Sequence, residues 1–354
     1  MLKIALVAPF EEPVPPKKYG GTELVVYNLA EELVKLGHDV TLFASGDSKT
    51  SAKLVACTPK SIRSVRASHN ARVNAALTYS GLMKALDVMR DEKFDIVSNH
   101  MGWPFFPLVQ YLKSPVVTTL HNSLRKQYPR FYEEIYMYNQ YKNMPLISIS
   151  NSQSRSLKEY NFISTIYDGI QVEKFPFNAK ADDYLLFFGR MSPEKGPEEA
   201  IKMAKKTGHK LIMAGKINSF ERSYFRQKIK PQIDGKQIQF LGEVGRESKI
   251  KVRLYQHAKA LLAPLRWDEP FGLVSVEAMA CGTPVITMNR GSSPEIMVDG
   301  KTGYLCHSFK EMTARISDLD KIKRADCRKH IEQNFTAKIM AKRYVDVFEQ
   351  YIGK

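Results

Sequence analysis

The sequence has little of what marks secreted, membrane-spanning or zinc-bound proteins. Its four cysteines, Cys57, Cys281, Cys306 and Cys327, are scattered without paired metal-ligand spacing, so we expect reduced, buried thiols. No apolar run approaches the roughly 18 residues that a membrane-spanning helix needs. The amino terminus, MLKIALVAPF, enters a strand-like segment without the long apolar region and cleavage site of a signal peptide. These absences predict a cytoplasmic protein.

The composition excludes a disordered chain and favours more than one domain. Hydrophobic residues make up 44% and charged residues 25% of the sequence, which is typical of soluble globular proteins. The 354 residues exceed the length at which one hydrophobic core usually stops growing. We therefore expect two domains.

The net charge of +16 favours anionic partners. Residues 1–178 contain 21 Lys and Arg against 16 Asp and Glu, and residues 179–354 contain 32 against 21. Such an excess raises the local concentration of nucleotides, nucleic acid or an anionic membrane face. A general solubility charge is the alternative, and composition alone does not choose between them.

Strands and helices alternate in the first half of the chain. KIALVAP is a strand candidate, and TELVVYNLAEELVKLG repeats apolar residues at a helical period, with Thr22 as a possible N-cap and Gly37 as a stop. HDVTLFAS then closes a βαβ unit. Further strand-like runs follow: FDIVSNH, PVVTTLH, PLISISNS and ISTIYDGI.

The alternation restarts near residue 184 and ends in an amphipathic helix, TAKIMAKRYVDVFEQYI. It predicts two α/β domains, each a doubly wound parallel sheet covered on both faces. The polar stretch 176–183 is the expected linker, which gives domains of 1–177 and 178–335. A cleft between such domains is a natural ligand site. The predicted elements of the second half are YLLFFGR, PEEAIKMAKKTG, KLIMAG, IQFLGEV, AKALLAPL and TPVITM.

The loop KYGGTE has the features of a phosphate-binding turn. Gly20 and Gly21 end the loop where a helix begins, so a ligand could approach the backbone and the free N–H groups of the helix closely. A flexible loop that needs positive φ values is an equal alternative. The dinucleotide fingerprint G-x-G-x-x-G is absent, which weakens a dehydrogenase interpretation.

A second loop, FFGRMSPEKGPEEA, carries two bases between a strand and a helix that Pro197 could open. Arg190 offers a planar fork and Lys195 a mobile point charge, a combination suited to a diphosphate. The alternative is a solvated loop with surface bases.

A third segment, EPFGLVSVEAMACGTPVI, carries two acids in apolar surroundings. Glu269 lies just outside a helix that is predicted to start near Gly272, so a plain helix-capping acid is the alternative for it. Glu277 lies within the helix among apolar residues, where an unpaired charge is unfavourable. A ribose diol would supply the partners that this carboxylate needs.

These segments together resemble glycosyltransferase family 4. EPFGLVSVE is similar to the E-x7-E motif of retaining glycosyltransferases with the GT-B fold, and GGTE, GRMSPEKG, LIMAG and FLGEV fit the family in the same order. The resemblance covers essentially the whole chain. It implies two Rossmann-like domains that face a cleft, with a C-terminal helix, 336–354, that crosses back to the first domain.

The resemblance implies roles for the E-x7-E segment. Glu269 would approach the hydroxyls of the donor sugar, and the backbone amides of Phe271, Gly272 and Leu273 would reach sugar and phosphate. Glu277 would hold the ribose.

It also implies a phosphate site without a metal. Arg190 and Lys195 would neutralise the departing diphosphate, and Gly20 and Gly21 would face the donor phosphates. No DxD-type motif stands out as a donor site, so the two bases would replace a cation and no cofactor is required.

Four further positions follow from the same likeness. Gly215 and the segment around Val244 would border the base and phosphate pocket. His121 matches the family's active-centre histidine at the tip of a strand. His100 lies where many relatives have a histidine-rich turn, and its role is open.

The implied reaction is transfer of a hexose from a nucleotide-diphosphate sugar to a hydroxyl acceptor, with retention through a front-face displacement. Glu269 is not assigned as a nucleophile. UDP-glucose is the favoured donor and GDP-mannose the second choice. A sugar-nucleotide epimerase shares the architecture, but the E-x7-E stretch argues against it. No nucleic-acid recognition motif occurs, so we expect no nucleic-acid partner.

The acceptor side is not identified by the sequence. Residues 123–144 mix bases with Tyr and Phe, which suits an acceptor groove or peripheral contact with an anionic membrane. A helix that buries Phe131, Ile135 and Tyr138 in its own domain is the favoured alternative.

Overall fold

The computed structural model describes residues 1–18, 20–124, 132–245 and 248–353. The chain divides into two compact units. Unit 1 comprises Met1–Gly169 and Ala337–Lys354, and unit 2 comprises Ile170–Thr336. Each unit contains one parallel sheet with helices, and no helix within the described ranges is both long and apolar enough to cross a bilayer.

Unit 1 contains a parallel sheet in the order β3-β2-β1-β4-β5-β6-β7. Ile4–Val7 in the central strand are fully buried, because helices cover both faces and the strands read as continuous apolar runs. The strands are β1 (Lys3–Val7), β2 (Asp39–Ser45), β3 (Lys53–Thr58), β4 (Ile96–Asn99), β5 (Val116–Leu120), β6 (Leu146–Ser148) and β7 (Phe162–Thr165). The helices are α1 (Gly21–Lys35), α2 (Ala71–Asp91), α3 (Tyr132–Gln140) and α4 (Asn151–Arg155).

Unit 2 repeats the same winding in the order β10-β9-β8-β11-β12-β13. Its strands are β8 (Tyr184–Phe188), β9 (Lys210–Ala214), β10 (Ile238–Phe240), β11 (Ala260–Ala263), β12 (Val285–Met288) and β13 (Gly303–Cys306). Its helices are α5 (Pro197–Thr207), α6 (Arg222–Tyr224), α7 (Lys249–His257), α8 (Leu273–Ala280), α9 (Ser293–Ile296), α10 (Phe309–Arg315) and α11 (Arg324–Asn334). Both sheets therefore have the doubly wound order of Rossmann-like domains, as predicted.

The last helix, α12 (Ala337–Ile352), belongs to unit 1 although it follows unit 2 in the chain. It packs against α1, and its Tyr344 and Phe348 are almost fully buried. The hydroxyl of Tyr344 lies 2.9 Å from Thr119 Oγ1 in β5. The C-terminal helix thus completes the core of the first unit.

The division between the units, after Gly169, falls six residues before the expected linker at 176–183. Ile170 donates its backbone N–H to the carbonyl of Phe335 at 3.0 Å. Arg328 binds the carbonyls of Val172 and Phe175. These bonds attach residues 170–177 to unit 2, which a polarity pattern alone does not reveal.

The expected N-cap of α1 is wrong. The helix begins at Gly21, and Gly20 occupies the cap position without a side-chain hydrogen bond. Thr22 is already inside the first turn.

Candidate active site

Most of the predicted site residues lie in loops that follow strands at or near the two points where strand order reverses. In each sheet the first strand is flanked by the second and the fourth, so the loops after these strands diverge and leave a crevice where ligands bind. Gly20 follows β1 and His121 follows β5 in unit 1. Arg190 follows β8 and Glu269 follows β11 in unit 2. Each unit therefore gathers its predicted residues at the carboxyl end of its sheet.

Arg190 lies between two carboxylates. Its Nη2 is 3.1 Å from Glu194 Oε1, and its Nη1 is 3.1 Å from Glu221 Oε1. The side chains of Arg190 and Glu221 are only 11% and 3% exposed, so this is not a solvated surface base. The guanidinium is held in one position with its charge fully compensated.

Lys195 and Glu269 are joined directly. Lys195 Nζ forms an ion pair with Glu269 Oε2, and the same oxygen accepts a hydrogen bond from Trp267 Nε1 at 2.8 Å. The ammonium also lies 5.2 Å from the centre of the Trp267 ring, within cation–π range. Gly196 has a left-handed φ of 71°, and a Cβ there would lie 2.1 Å from the carbonyl oxygen of Pro264. The glycine thus lets the Lys195 loop reach the Glu269 loop.

Glu269 does not cap the next helix. Gly272 occupies the N-cap of α8 with a φ of 106°, and no side chain caps it. The backbone N–H groups of Gly272 and Leu273 make no hydrogen bond to any described residue, whereas the carbonyl of Phe271 accepts from Ser292 Oγ. The start of α8 therefore offers free donors and the positive end of a helix dipole.

Glu277 has two protein partners, so its carboxylate does not depend on a ribose diol alone for hydrogen bonds. Its Oε1 lies 2.8 Å from Lys251 Nζ, and its Oε2 accepts from the hydroxyl of Tyr255 at 2.9 Å. Glu277 is 2% exposed and Lys251 is 8% exposed. Burial and the adjacent carboxylate hold the pKa of Tyr255 well above its usual range. A carboxylate has about four acceptor positions, so each oxygen keeps acceptor capacity.

Gly215 fixes the loop after β9. A Cβ on it would lie 1.7 Å from the carbonyl oxygen of Gly189, and its N–H donates to the carbonyl of Gly242 at 2.8 Å. Val244 lies two residues beyond Gly242 and is partly exposed. The loops after β8, β9 and β10 are thus held together by backbone contacts that only glycine permits.

In unit 1, Gly20 and Gly21 open α1 without left-handed backbone. Gly20 has a φ of 169°, which is extended, so the alternative of a loop that needs positive φ is wrong. A Cβ at Gly20 would lie 2.7 Å from Pro16 Cβ and 2.9 Å from Glu23 Oε2. Burial raises the pKa of Glu23 to about 7. A small residue is required here because the loop and the first helical turn are packed together.

The two predicted histidines contact each other. His121 Nε2 lies 2.9 Å from His100 Nδ1, and His100 Nε2 lies 3.0 Å from Ser98 Oγ. Burial lowers the pKa of His121 to about 4. Burial and the neighbouring His121 lower the pKa of His100 well below its usual range. Both imidazoles are therefore neutral at pH 7.

The aromatic segment 123–144 is only partly described. Residues 125–131, including Phe131, lie outside the described residues. In α3, Ile135 is 6% and Tyr138 2% exposed, and the Tyr138 ring packs edge-on against Phe106 at 5.1 Å. Within the described part, this helix therefore buries the residues that the core-helix alternative named.

Sequence reasoning missed the residues that hold the predicted ones in place. Lys251 had a detectable signal, because Lys251, Leu254 and Tyr255 share the buried face of α7 at helical spacing. A lysine on such a face requires a buried partner. Glu221 and Ser98 gave no comparable signal. In the part of the chain that the structure describes, no group of three or more His, Cys, Asp or Glu side chains could hold a metal ion.

Two family profiles together cover most of the chain. "Glycosyltransferase Family 4" matches residues 19–174 and "Glycosyl transferases group 1" matches residues 170–335. Together with the two parallel-sheet units, these matches define a glycosyltransferase of the GT-B type. The chain belongs to glycosyltransferase family 4.

Individual proteins are similar over different lengths. Spore coat protein SA of Bacillus subtilis (strain 168) is 30% identical over 187 residues, 47% of this chain and 48% of that protein. The chain thus matches about half of that protein's length. Glycogen synthase of Mycobacterium tuberculosis (strain CDC 1551 / Oshkosh) is 25% identical over 335 residues, 82% of this chain and 80% of that protein. The structure of Anabaena Alr3699/HepE in complex with UDP-glucose shares the fold, with a TM-score of 0.74 and 17% sequence identity. The match covers 99% of this chain and 100% of that chain.

Proposed function

We propose that this glycosyltransferase moves a hexose from a nucleotide-diphosphate sugar to a hydroxyl acceptor with retention of anomeric configuration. Unit 2 would bind the donor and unit 1 the acceptor. The observation that carries the proposal is the pair Arg190 and Lys195, two partly buried bases that acidic side chains hold at the carboxyl end of the unit 2 sheet. A diphosphate is the ligand that such a pair fits best.

Donor binding exchanges one anion for another. The carboxylates of Glu194 and Glu221 keep Arg190 in place, and the flexible stem of Lys195 lets its ammonium turn from Glu269 to a phosphate. As the bond from the sugar to the diphosphate breaks, negative charge grows on the leaving group. The two cations and the free amides of Gly272 and Leu273 stabilise that charge.

Glu269 becomes available to the sugar when Lys195 turns to the diphosphate. Its carboxylate then accepts hydrogen bonds from sugar hydroxyls while Trp267 Nε1 continues to orient it. Glu277, oriented by Lys251 and Tyr255, uses its remaining acceptor positions for the ribose diol. Phe271 contributes its backbone amide on the same side.

The chemistry needs no carboxylate nucleophile. In a front-face displacement the departing diphosphate takes the proton of the acceptor hydroxyl as the new glycosidic bond forms, through an oxocarbenium-like state. By the family resemblance, Gly20 and Gly21 would serve the donor phosphates and His121 the sugar. Gly215 and Val244 border the base.

UDP-glucose is the favoured donor, with GDP-mannose second. The UDP-glucose complex of Anabaena HepE supports this choice through its shared fold. The acceptor is a glycan, lipid or small-molecule hydroxyl. Peripheral contact with an anionic membrane is a separate proposal, and liposome flotation tests it. Purified protein that does not float with anionic liposomes would remove this proposal.

Ligand-induced stabilisation tests the donor class. UDP, GDP and ADP, with and without common sugars attached, are screened by thermal shift against wild type, Lys195→Ala and the surface control Lys202→Ala. A ligand at 100 times its Kd adds about 2.7 kcal/mol of stability. We expect one diphosphate to stabilise wild type and the control but not Lys195→Ala. No shift with any nucleotide would contradict the proposal.

Product analysis tests the reaction. With the donor identified, NMR of the glycosylated product gives the anomeric configuration, and release of nucleoside diphosphate distinguishes transfer from epimerisation. We expect an α-linked product from an α-linked donor. A β-linked product would contradict retention.

A further inference from the structure

A chain of hydrogen bonds crosses two neighbouring strands of unit 1. Ser98 lies in β4, His100 follows β4 and His121 follows β5. The contacts run from Ser98 Oγ to His100 Nε2 at 3.0 Å and from His100 Nδ1 to His121 Nε2 at 2.9 Å. Ser98 is 0% and His100 3% exposed, whereas His121 is partly exposed. The chain therefore connects a buried hydroxyl to a histidine that ligands can reach.

Two arrangements of protons fit these distances. A neutral imidazole carries one N–H, and burial keeps both rings neutral. In the first arrangement the Ser98 hydroxyl donates to His100 Nε2 and His100 Nδ1–H donates to His121 Nε2. In the second, His121 Nε2–H donates to His100 Nδ1 and His100 Nε2–H donates to Ser98 Oγ. The two differ in which nitrogen of His121 is protonated.

The Ser98 hydroxyl selects the first arrangement. Among the described residues its only hydrogen-bond partner is His100 Nε2. In the second arrangement that nitrogen carries a proton, so the buried hydroxyl would donate to nothing, which is unfavourable. The first arrangement satisfies Ser98 and both nitrogens of His100. It leaves His121 with a proton on Nδ1, which makes no hydrogen bond to any described residue.

We propose that Ser98 and His100 are positioning residues that hold His121 as its Nδ1–H tautomer, so that His121 donates a hydrogen bond to a substrate oxygen and does not accept a proton. The placement of His121 at the sugar rests on the proposed function. The tautomer itself does not. A donor at this position suits an oxygen that carries partial negative charge or a lone pair, such as a sugar hydroxyl.

The C-terminal helix supports the same arrangement. The Tyr344 ring of α12 lies 5.9 Å from the His100 ring, and its hydroxyl is held by Thr119 at 2.9 Å. Because Tyr344 is 1% exposed, it closes one side of His100 with a ring whose own hydrogen bond is made elsewhere. Its hydroxyl does not compete for the imidazole nitrogens.

The tautomer can be read directly by NMR. Long-range ¹H–¹⁵N spectra of protein labelled with ¹⁵N-histidine, recorded at pH 7, separate protonated from unprotonated ring nitrogens. The sequence has 8 histidines, and loss of one signal set in His121→Gln assigns His121. We expect a protonated Nδ1 in wild type and a mixture of tautomers in Ser98→Ala. A protonated Nε2 in wild type, or an unchanged spectrum in Ser98→Ala, overturns the proposal.

Ser148→Ala is the matched control. Ser148 is also a fully buried strand serine of unit 1, but its hydroxyl bonds to Thr165 Oγ1 at 2.6 Å. Its loss removes the same atom without touching the histidine chain. The His121 signals should remain those of wild type.

Kinetics with the identified donor tests the consequence. His100→Leu removes the N–H that fixes His121, and we expect kcat to fall about tenfold, the value of roughly one hydrogen bond. His100→Asn places an amide N–H near the position of Nδ1 and should restore most of the rate at similar KM. Equal rates in the two variants overturn the positioning role. If His121 has the expected tautomer but no nucleotide sugar is used, the proposed function fails and the tautomer assignment stands.

Discussion

The two units hold their candidate site residues in opposite electrostatic states. In unit 2, Arg190, Lys195 and Lys251 all form ion pairs with carboxylates. In unit 1, His100 and His121 are neutral because burial lowers their pKa values. Unit 2 therefore holds charged side chains in ion pairs, and unit 1 presents uncharged hydrogen-bonding groups.

The difference matches the two kinds of ligand that a sugar transfer requires. A nucleoside diphosphate is an anion, and bases held by carboxylates can exchange partners without first being desolvated. A sugar and a hydroxyl acceptor are neutral, and a charged group near them would gain little. The following predictions test this division, from the largest expected effect to the smallest.

Lys251→Met should destabilise unit 2 by about 3–5 kcal/mol, because it leaves the carboxylate of Glu277 buried without a cation. The double variant Lys251→Met with Glu277→Gln removes both charges and should recover most of that loss. Urea unfolding of the two single variants and the double variant gives the coupling.

Lys202 is the control for that experiment, because its side chain is 61% exposed and its partner Glu199 also pairs with Arg266. Lys202→Met should change the free energy of unfolding by less than about 1 kcal/mol. Equal changes in the free energy of unfolding at Lys202 and Lys251 would mean that the ion pair of Lys251 and Glu277 is not buried. Donor affinity should stay low in the stabilised double variant, since Glu277 no longer offers a carboxylate.

Lys195→Ala should lower kcat by about 100- to 1,000-fold, since it removes one cation that stabilises the leaving group. It also frees Glu269, which would then repel the diphosphate. Steady-state kinetics with the identified donor measures the loss. A variant within threefold of wild type would show that Lys195 is only a structural partner of Glu269.

Asp168→Asn should change how the stability of unit 1 depends on pH. Burial raises the pKa of Asp168 to about 8, above its usual 3.8. Between these two pKa values the folded state keeps a proton that the unfolded state releases. The contribution of Asp168 to the free energy of unfolding is therefore full below the unfolded pKa and is lost as pH rises through about 8.

From pH 5 to pH 7 the free energy of unfolding of wild type should fall by about 2–3 kcal/mol relative to that of Asp168→Asn. Each pH step of one accounts for about 1.4 kcal/mol. Denaturant unfolding of both proteins at pH 5, 6 and 7 measures the difference. Parallel pH profiles would contradict a neutral, buried Asp168.

Trp267→Phe should have the smallest effect, a fall in kcat of about tenfold or less, because it removes one hydrogen bond to Glu269 and keeps most of the ring. Trp103 is the other tryptophan of the chain and lies in unit 1, so Trp103→Phe is the matched control. An equal fall in kcat in both variants would show that the effect does not come from the hydrogen bond to Glu269.

The sequence predicts most of the strands and the loops that carry the site, because buried parallel strands are apolar runs that end in Gly and polar residues. It does not predict β3, an edge strand whose Leu54 and Val55 are only partly buried. It also does not predict β13, which is four residues long. Short or half-exposed strands depend on their neighbours more than on their own pattern.

The contacts within the site are less predictable than the site residues. Lys251 and Glu277 are 26 positions apart, and only the packing of α7 beside α8 joins them. The neutral state of His121 depends in the same way on burial by distant segments. Local sequence identifies chemical groups, but it does not identify the partners that set their charge.

Calorimetric titration of wild type and Lys195→Ala with UDP and with uridine tests the central claim most directly. The account predicts that wild type binds UDP far more tightly than uridine, and that Lys195→Ala loses most of this difference while its weak affinity for uridine is kept. The advantage of UDP should also shrink as salt is raised. Equal binding of UDP and uridine to wild type would contradict a diphosphate site in unit 2.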